Sequence, residues 1–222
     1  MSAGKKSTIG MKKKARQATP KEDRPAASEV RIVGGKFRGR KLIIPTDVRT
    51  RPMKNRVREA IFNLIGTEVV GKHAVDLFAG TGALGIEALS RGATGATFIE
   101  RHFPTARRIE ENLRALAVEA GCEVVGSDTF YWSRQQPTPS ESAWVVFCSP
   151  PYEFYVSRAD DMLALIGDWL SRAPAGSLAV VEADERFDMQ LLPQPDQWDL
   201  RSYPPAEVAI WRSAPRRGPS EG

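Results

Sequence analysis

Two short stretches of the sequence combine residue types that could bind a ligand and act on it. The first, "VDLFAGTGALG", places Gly80, Gly82 and Gly85 in a Gly-x-Gly-x-x-Gly spacing directly after an apolar run. The second, "VVFCSPPYEFY", ends a continuous apolar run at a Ser-Pro-Pro-Tyr corner. A glycine-rich loop lets a ligand approach the backbone, and a rigid corner can hold hydrogen-bond acceptors at a fixed angle.

Acidic residues around the glycine loop indicate which ligand it holds. Taken alone, the loop and an acid about twenty residues later, Glu100, form the dinucleotide fingerprint, which predicts a nicotinamide enzyme. However, Asp76 lies four residues before the first glycine, close to the expected ligand. A carboxylate there suits a cation better than a pyrophosphate. This favours S-adenosylmethionine (SAM), which carries an ammonium and a sulfonium group but no phosphate.

Under the SAM interpretation each of these positions has a role. The turn of residues 78–82 lies under the methionine part, and Asp76 helps to hold its ammonium group. Glu100 accepts from the ribose hydroxyls, and Asp128, after the next apolar run, accepts from the adenine amino group. The predicted cofactor-binding residues are Asp76, Phe78, Gly80, Thr81, Gly82, Gly85, Glu100 and Asp128.

The Ser-Pro-Pro-Tyr corner suits the methylation of an exocyclic amino group on a base. Such a nitrogen is planar and a poor nucleophile, because its lone pair is delocalised into the ring. The Ser149 oxygen and the Pro150 carbonyl could accept both amino protons and favour a tetrahedral nitrogen, with no histidine base. Tyr152 could stack on a flipped base. The predicted catalytic residues are Ser149, Pro150, Pro151 and Tyr152.

The elements that must position these residues alternate between strand and helix. Apolar strand-like runs begin at His73, Gly95, Cys122 and Trp144, and helical patterns lie between most of them. The stretch "WDLRSYPPAEVAIWR" predicts a closing antiparallel pair. The pattern predicts an α/β, Rossmann-like SAM-dependent methyltransferase fold: a doubly wound, mostly parallel seven-stranded sheet with an amino-terminal basic β-hairpin. Ligands bind such sheets at the carboxyl ends of the strands.

The amino-terminal part of the chain differs in composition from the rest. Residues 1–58 carry 18 Lys/Arg against four Asp/Glu, a balance of +14, whereas the remaining 164 residues carry 14 against 23, a balance of −9. A basic amino-terminal part predicts a polyanionic partner. "VRIVGGKFRGRKLIIP" predicts a hairpin with cationic residues at its tip. The expected divisions are a disordered tail (1–29), an RNA-binding hairpin with the start of the first helix (30–58), the methyltransferase domain (59–214) and a disordered tail (215–222).

Composition also argues against several classes of protein. No apolar run reaches the length of a membrane span, and the basic amino terminus lacks the apolar segment of a secretory signal. Two cysteines, Cys122 and Cys148, lie in strand-like runs, which predicts reduced thiols in a cytoplasmic protein. The two histidines have no neighbours that would form a metal site or a catalytic triad.

The sequence resembles the RsmD-type 16S rRNA guanine-N2 methyltransferases from about Val30 to Arg212. The resemblance is carried by "RIVGGKFRGRKL", "RPMKNRVREAIFN", "VDLFAGTGALGIEALSRGA" and the Pro-Pro-Tyr corner, of which the first two are the more specific. It implies SAM as cofactor and 16S ribosomal RNA or a small-subunit assembly intermediate as partner, and we expect a monomer. Family members contact RNA through the amino-terminal hairpin. The RNA-binding residues that we predict are Lys36, Arg38, Arg40, Arg51, Arg56 and Arg58.

The chain departs from the family pattern at a few positions. The family usually has Asp where this chain has Ser149, and glycine where it has Pro204; Met53 and Asn55 replace the common Thr and Asp. These changes touch the catalytic and RNA-facing parts and leave the glycine loop alone. The alternatives to an RNA methyltransferase are a DNA amino-group methyltransferase, a catalytically weak RNA-binding assembly factor, and a nicotinamide oxidoreductase.

Overall fold

The computed structural model describes residues 30–44 and 55–214. Its strands are β1 (His73–Asp76), β2 (Gly95–Ile99), β3 (Cys122–Val125), β4 (Trp144–Cys148), β5 (Leu178–Asp184), β6 (Trp198–Tyr203) and β7 (Ala206–Arg212). Its α-helices are α1 (Asn55–Ile65), α2 (Ala83–Ser90), α3 (Phe103–Leu116), α4 (Thr129–Ser133), α5 (Phe154–Ser157) and α6 (Ala159–Arg172). Short 3₁₀ turns occupy Gly35–Phe37, Gly66–Val69, Met189–Leu191 and Pro195–Gln197. None of these described helices has the length and apolar character that a membrane crossing requires.

All seven strands join one sheet in the order β3-β2-β1-β4-β5-β7-β6. Strands β1 to β5 pair in parallel, and β7 runs antiparallel between β5 and β6. This confirms the predicted fold class, a doubly wound and mostly parallel seven-stranded sheet. The chain leaves β1 towards β2 and β3 and returns on the other side at β4. The strand order therefore reverses between β1 and β4, where a crevice opens at the carboxyl ends of the strands.

Helices cover both faces of the sheet. On one face α1, α2 and α3 contribute buried side chains such as Phe62, Ile86 and Ile109, and on the other α6 contributes Ile166 and Trp169. Strand β4 is buried along its whole length because it lies between these two layers. Burial on both faces is the physical reason that the parallel strands read as continuous apolar runs rather than alternating ones.

The amino-terminal segment is a short antiparallel hairpin, as predicted. Its two arms are linked by a single β-bridge, Arg31 to Lys41, and a 3₁₀ turn lies at its tip. Backbone hydrogen bonds also join the arms, from the Ile32 N–H to the Arg40 carbonyl and from the Leu42 N–H to the Val30 carbonyl. Other backbone groups near the tip bond to α2: the Val33 N–H donates to Glu87, and the Phe37 N–H donates to Ser90. The segment is a docked loop on α2.

Candidate active site

The glycine loop turns directly from β1 into α2. Gly80 and Gly82 have φ values of 51° and 75°, in the left-handed region that glycine adopts without strain. The Gly82 N–H donates to the Ala79 carbonyl at 2.7 Å, which closes the turn. These conformations bring the backbone of residues 78–81 to the surface of a cavity at the carboxyl edge of the sheet.

This cavity joins the two sequence motifs. It has a volume of about 550 Å³ and lies where the carboxyl ends of β1, β2, β4 and β5 meet. Most predicted cofactor-binding residues and all four predicted catalytic residues line it: Asp76, Phe78, Gly80, Thr81, Glu100, Asp128, Ser149, Pro150, Pro151 and Tyr152. The structure therefore brings together residues that lie up to 76 positions apart in the sequence.

Two glycines of the motif act through packing and do not line the cavity. A Cβ atom on Gly85 would lie 2.3 Å from the ring of Phe98 on β2, so glycine lets α2 lie close to the sheet. A Cβ atom on Gly82 would lie 3.1 Å from Ile109 of α3. The prediction that Gly82 and Gly85 themselves contact the cofactor has no support in this geometry. The third glycine of such a motif commonly serves helix–strand packing.

Asp76 is a buried carboxylate at the floor of the cavity, only 1% exposed. Its Oδ2 accepts a hydrogen bond from the Gly85 N–H at 3.2 Å, while its Oδ1 is buried with no hydrogen-bond partner. Burial raises the pKa of Asp76 to about 7, and the nearby Glu100 carboxylate adds to this rise in pKa. A buried oxygen without a partner, beside a cavity, fits a ligand that brings its own hydrogen-bond donor.

Glu100 and Asp128 follow β2 and β3 at the same edge. Glu100 accepts from two backbone groups, the N–H of Gly80 at 2.8 Å and that of His102 at 2.7 Å. It therefore clamps the glycine loop to the end of β2. Asp128 caps the amino terminus of α4 and accepts from the Tyr131 N–H at 3.1 Å. Each carboxylate also faces the cavity, which gives one wall a set of acceptors and a negative charge.

The Ser-Pro-Pro-Tyr corner forms the opposite wall of the cavity. Ser149 donates its hydroxyl hydrogen to Oε2 of Glu182, and the Tyr152 hydroxyl donates to Oε1 of the same carboxylate at 2.7 Å. The corner continues into α5, where the Phe154 N–H donates to the Pro151 carbonyl at 2.8 Å. Glu182 is 4% exposed, and burial raises its pKa, whereas the bonds from Ser149 and Tyr152 lower it.

Sequence reasoning missed several residues that line this cavity. Glu182 is contributed by β5, Phe154 by α5, Val57 by α1 and Pro205 by the turn between β6 and β7. Phe154 packs with Phe78 and Phe130, at centroid distances of 6.0 Å to each. A polar residue within the apolar run "SLAVVEA" was the one signal that could have pointed to Glu182.

The predicted RNA-binding residues fall into different environments. Lys36, Arg38, Arg40 and Arg56 are on the surface or partly exposed, and the Lys36 ammonium lies 4.7 Å from the centroid of the Phe37 ring. Arg51 lies outside the described residues. Arg56 directly precedes Val57, so the start of α1 is next to the cavity.

Arg58 corrects one of these predictions, because it is a core residue and is only 1% exposed. Its guanidinium donates to the Arg31 carbonyl and pairs with Glu87 at 3.6 Å. Glu87 is fully buried and also pairs with Arg91 at 2.8 Å. Burial and the neighbouring Arg91 lower the pKa of Arg58, and Glu87 opposes this. Arg58 therefore joins the amino-terminal segment to α2 and is not available to a phosphate.

Comparison with known proteins gives matches over most of the chain. A family model described as conserved hypothetical protein 95 matches residues 30–204. The Escherichia coli K12 protein named ribosomal RNA small subunit methyltransferase D is 32% identical over 203 residues, which cover 90% of this chain and 97% of the relative. The Haemophilus influenzae protein of that name is 34% identical over 188 residues, covering 84% and 94%. The solved structure of Escherichia coli yhhF has a TM-score of 0.69 at 31% identity, covering 84% and 98%.

The strand order and the shared cavity define the class as a Rossmann-like α/β methyltransferase, in agreement with the prediction from the sequence. The chain is thus a methyltransferase. Because the matches span most of both chains at above 30% identity, they also identify the family within this class. The chain belongs to the family of ribosomal RNA small subunit methyltransferase D, and the predicted resemblance is confirmed.

Proposed function

We propose that this protein transfers a methyl group from SAM to the exocyclic amino group of a guanine in 16S ribosomal RNA. One observation carries the proposal: the glycine loop and the Ser-Pro-Pro-Tyr corner face each other across one cavity. Family membership supports the substrate, because the related proteins are named for the RNA of the small ribosomal subunit.

The residues of the cavity fit SAM as the cofactor. Asp76 has a buried oxygen without a partner, which suits the ammonium group, and Glu100 and Asp128 supply acceptors for the ribose and the adenine. Arg101 is the one cationic side chain that lines the cavity in the described part of the chain, and acidic side chains outnumber it, so the lining suits a cation better than a pyrophosphate. When bound, SAM supplies an electrophilic methyl group on a sulfonium sulfur.

The Ser-Pro-Pro-Tyr corner binds and orients the base. The Ser149 oxygen and the Pro150 carbonyl are the two acceptors that we assign to the amino protons of guanine, and the two prolines limit the backbone freedom of the corner. Tyr152, held by its bond to Glu182, offers a ring on which a flipped base can stack. The contribution of these residues is positioning and oriented dipoles.

The basic amino-terminal segment, together with the start of α1, is the surface that we assign to RNA. Lys36, Arg38 and Arg40 of the docked loop and Arg56 of α1 would contact phosphates, which position the RNA without reading its sequence. Arg51 remains a sequence-based proposal of the same kind, as do the domain divisions at residues 29, 58 and 214. We also propose that the protein acts as a monomer in the cytoplasm, with no membrane partner.

The test is transfer of a labelled methyl group from SAM to small-subunit RNA and particles from cells that lack this modification. We expect N2-methylguanosine in 16S RNA, identified by mass spectrometry of the nucleosides. Tyr152→Ala should lower the rate about 10- to 100-fold, because base stacking contributes roughly 1–3 kcal/mol. Tyr152→Phe is the matched control, since it keeps the ring and removes only the hydroxyl.

Two outcomes would contradict this proposal. Transfer to DNA with none to ribosomal RNA would establish the DNA amino-group methyltransferase instead. SAM binding without transfer to any nucleic acid, under conditions in which a relative is active, would leave an RNA-binding factor that keeps the fold.

A further inference from the structure

Glu182 is a buried carboxylate that both hydroxyls of the catalytic corner contact. It lies on β5, next to Val181, which pairs with Cys148 at the end of β4. On its other side β7 offers Val208, an apolar partner. The ion pairs formed within residues 30–44 and 55–214 do not include Glu182. Buried carboxylates are normally paired with a cation, so an unpaired one in an active site calls for a function.

The hydrogen bonds of Glu182 fix the direction of the Ser149 hydroxyl. Ser149 has one hydrogen, and it points to Oε2 of Glu182. Only lone pairs of Oγ are then left to face the cavity, so Ser149 is held as an acceptor. Tyr152 donates to the second oxygen, Oε1, at 2.7 Å. One carboxylate therefore orients both side chains that we assign to the base.

We propose that Glu182 is the terminal proton acceptor of the methyl transfer, reached through the hydroxyl of Ser149, and that it holds Ser149 in the accepting orientation. This inference rests on the proposed transfer to an exocyclic amino group. It makes Glu182 a positioning residue that also receives a proton through its neighbour.

The proton transfer balances without a further reagent. The lone pair of the amino nitrogen forms the new N–C bond, the methyl–sulfur bond breaks, and its electron pair stays on sulfur. The nitrogen then carries a positive charge and two hydrogens. One of these hydrogens passes as a proton to Oγ of Ser149, while the Ser149 hydroxyl proton passes to Oε2 of Glu182. The product is a neutral methylated amine, and Glu182 later releases its proton to water.

The surroundings of Glu182 suit a group that accepts a proton. Ser149 and Tyr152 face it from the corner after β4, Tyr155 faces it from α5, and β7 presents no titratable partner at Val208. Burial raises the pKa of Glu182 from its ordinary value. The ionised, accepting form therefore accumulates as the pH rises through this raised pKa, and the chemical step should become faster in the same range.

The experiment measures the single-turnover rate of methyl transfer from pH 5.5 to 8.5, together with the Kd for SAM and the melting temperature. We expect Glu182→Gln to lower the rate at neutral pH about 100-fold, within the range of general acid–base catalysis, and to flatten its rise with pH. The Kd for SAM should change less than about twofold, because no predicted SAM contact is altered. Glu185→Gln, the same change at an exposed residue three positions later, is the matched control and should keep the wild-type profile.

Two further variants test the same proton path if Glu182→Gln does not fold. Ser149→Ala cuts the path to Glu182 and should give the same flat profile. The double variant Ser149→Asp with Glu182→Gln moves the carboxylate next to the base. Its rate should be at least tenfold higher than that of Glu182→Gln alone.

Several results would overturn the inference. A wild-type pH profile in Glu182→Gln or in Ser149→Ala would do so, as would a rate that falls by one factor at every pH, since that would indicate a structural role. Absence of transfer by the wild-type protein to every acceptor would overturn the proposed function together with this inference. Transfer to DNA alone would reject only the RNA substrate, and the same variants would then test Glu182 on that acceptor.

Discussion

Two buried carboxylates at one edge of the sheet are prepared for different tasks by their neighbours. Asp76 leaves one oxygen without a partner, whereas both oxygens of Glu182 accept from hydroxyls. Burial raises the pKa of each, but only Asp76 faces the part of the cavity formed by the glycine loop. We therefore assign Asp76 to a cation that the ligand brings and Glu182 to protons that the reaction releases.

The raised pKa of Asp76 predicts how SAM binding depends on pH. The ammonium group favours the ionised carboxylate, so below pH 7 binding must release a proton from Asp76. The Kd should then rise as the pH falls from about 7 to 5.5, by a factor that approaches tenfold for each pH unit. Asp76→Asn should bind more weakly at pH 7 and lose most of this dependence, as measured by calorimetry. An equally steep dependence in Asp76→Asn would assign the titration to another group.

Stability without ligand gives an independent check of the same residue. The folded pKa of about 7 lies above the unfolded value of 3.8, so the stability from protonated Asp76 is complete below pH 3.8 and is lost as the pH rises through 7. At pH 8, Asp76→Asn should therefore unfold at a higher temperature than the wild type. The gain in unfolding free energy should be on the order of a few kcal/mol at most.

Among the elements, α2 carries much of the organisation of the site. Its amino terminus holds the glycine loop, and its Glu87 and Ser90 bond to the amino-terminal segment. The buried Arg58 to Glu87 pair connects α1 to the same helix. The proposed RNA-contacting segment and the proposed cofactor loop therefore share one support, whose placement depends on close contact with β2.

Replacing Gly85 tests this support. Gly85→Ala would place a Cβ atom 2.3 Å from Phe98, so α2 or the ring must move, and we expect a loss of about 1–3 kcal/mol in unfolding free energy. SAM affinity should fall as well, because the Gly85 N–H bonds to Asp76. The measurements are denaturant unfolding and calorimetry.

Gly167→Ala is the matched control for this change. Gly167 also lies in a helix, α6, but there the added Cβ would meet Pro193 at 3.5 Å, an ordinary contact. Alanine is the better helix former, so we expect unchanged or slightly higher stability, by up to about 1 kcal/mol. If both alanine variants had the same stability, the close approach at Gly85 would not be the constraint that we describe.

Across the whole molecule, positive charge is concentrated at one end of the chain. Residues 1–58 have a balance of +14 and the rest −9. A long-range field of this kind attracts a polyanion and orients it towards the basic part. The start of α1 places Arg56 next to the cavity, the docked loop carries Lys36, Arg38 and Arg40 beside the carboxyl end of α2, and residues 1–29 add further lysines and arginines.

Removal of residues 1–29 tests the contribution of that charge. We expect weaker binding to ribosomal RNA and a smaller dependence of affinity on salt, with the slope falling by roughly one unit for each phosphate that the truncated protein no longer neutralises. SAM affinity should stay the same, since the cavity is formed by residues 57–206. Binding measured at several salt concentrations gives the slope. A truncated protein with the full slope would show that the tail does not bind phosphates.

The fold class, the glycine loop and the Ser-Pro-Pro-Tyr corner at the end of a buried strand could all be predicted from the order of the amino acids. Local patterns carry this information: strands buried on both faces need continuous apolar runs, and a loop at positive φ needs glycine. For the same reason the family resemblance could be recognised from contiguous motifs such as "VDLFAGTGALG".

Which polar side chains meet could be seen only in the folded molecule. Glu182 reaches Ser149 across 33 positions because β4 pairs with β5, and no local pattern encodes that pairing. Arg58 looks like a surface cation in the sequence but is buried against Glu87, and the expected hairpin docks on α2 through hydrogen bonds to Glu87 and Ser90. The burial and pairing of a charged residue depend on which side chains the neighbouring helices and strands place next to it. They are therefore properties of the packed molecule and not of its local sequence.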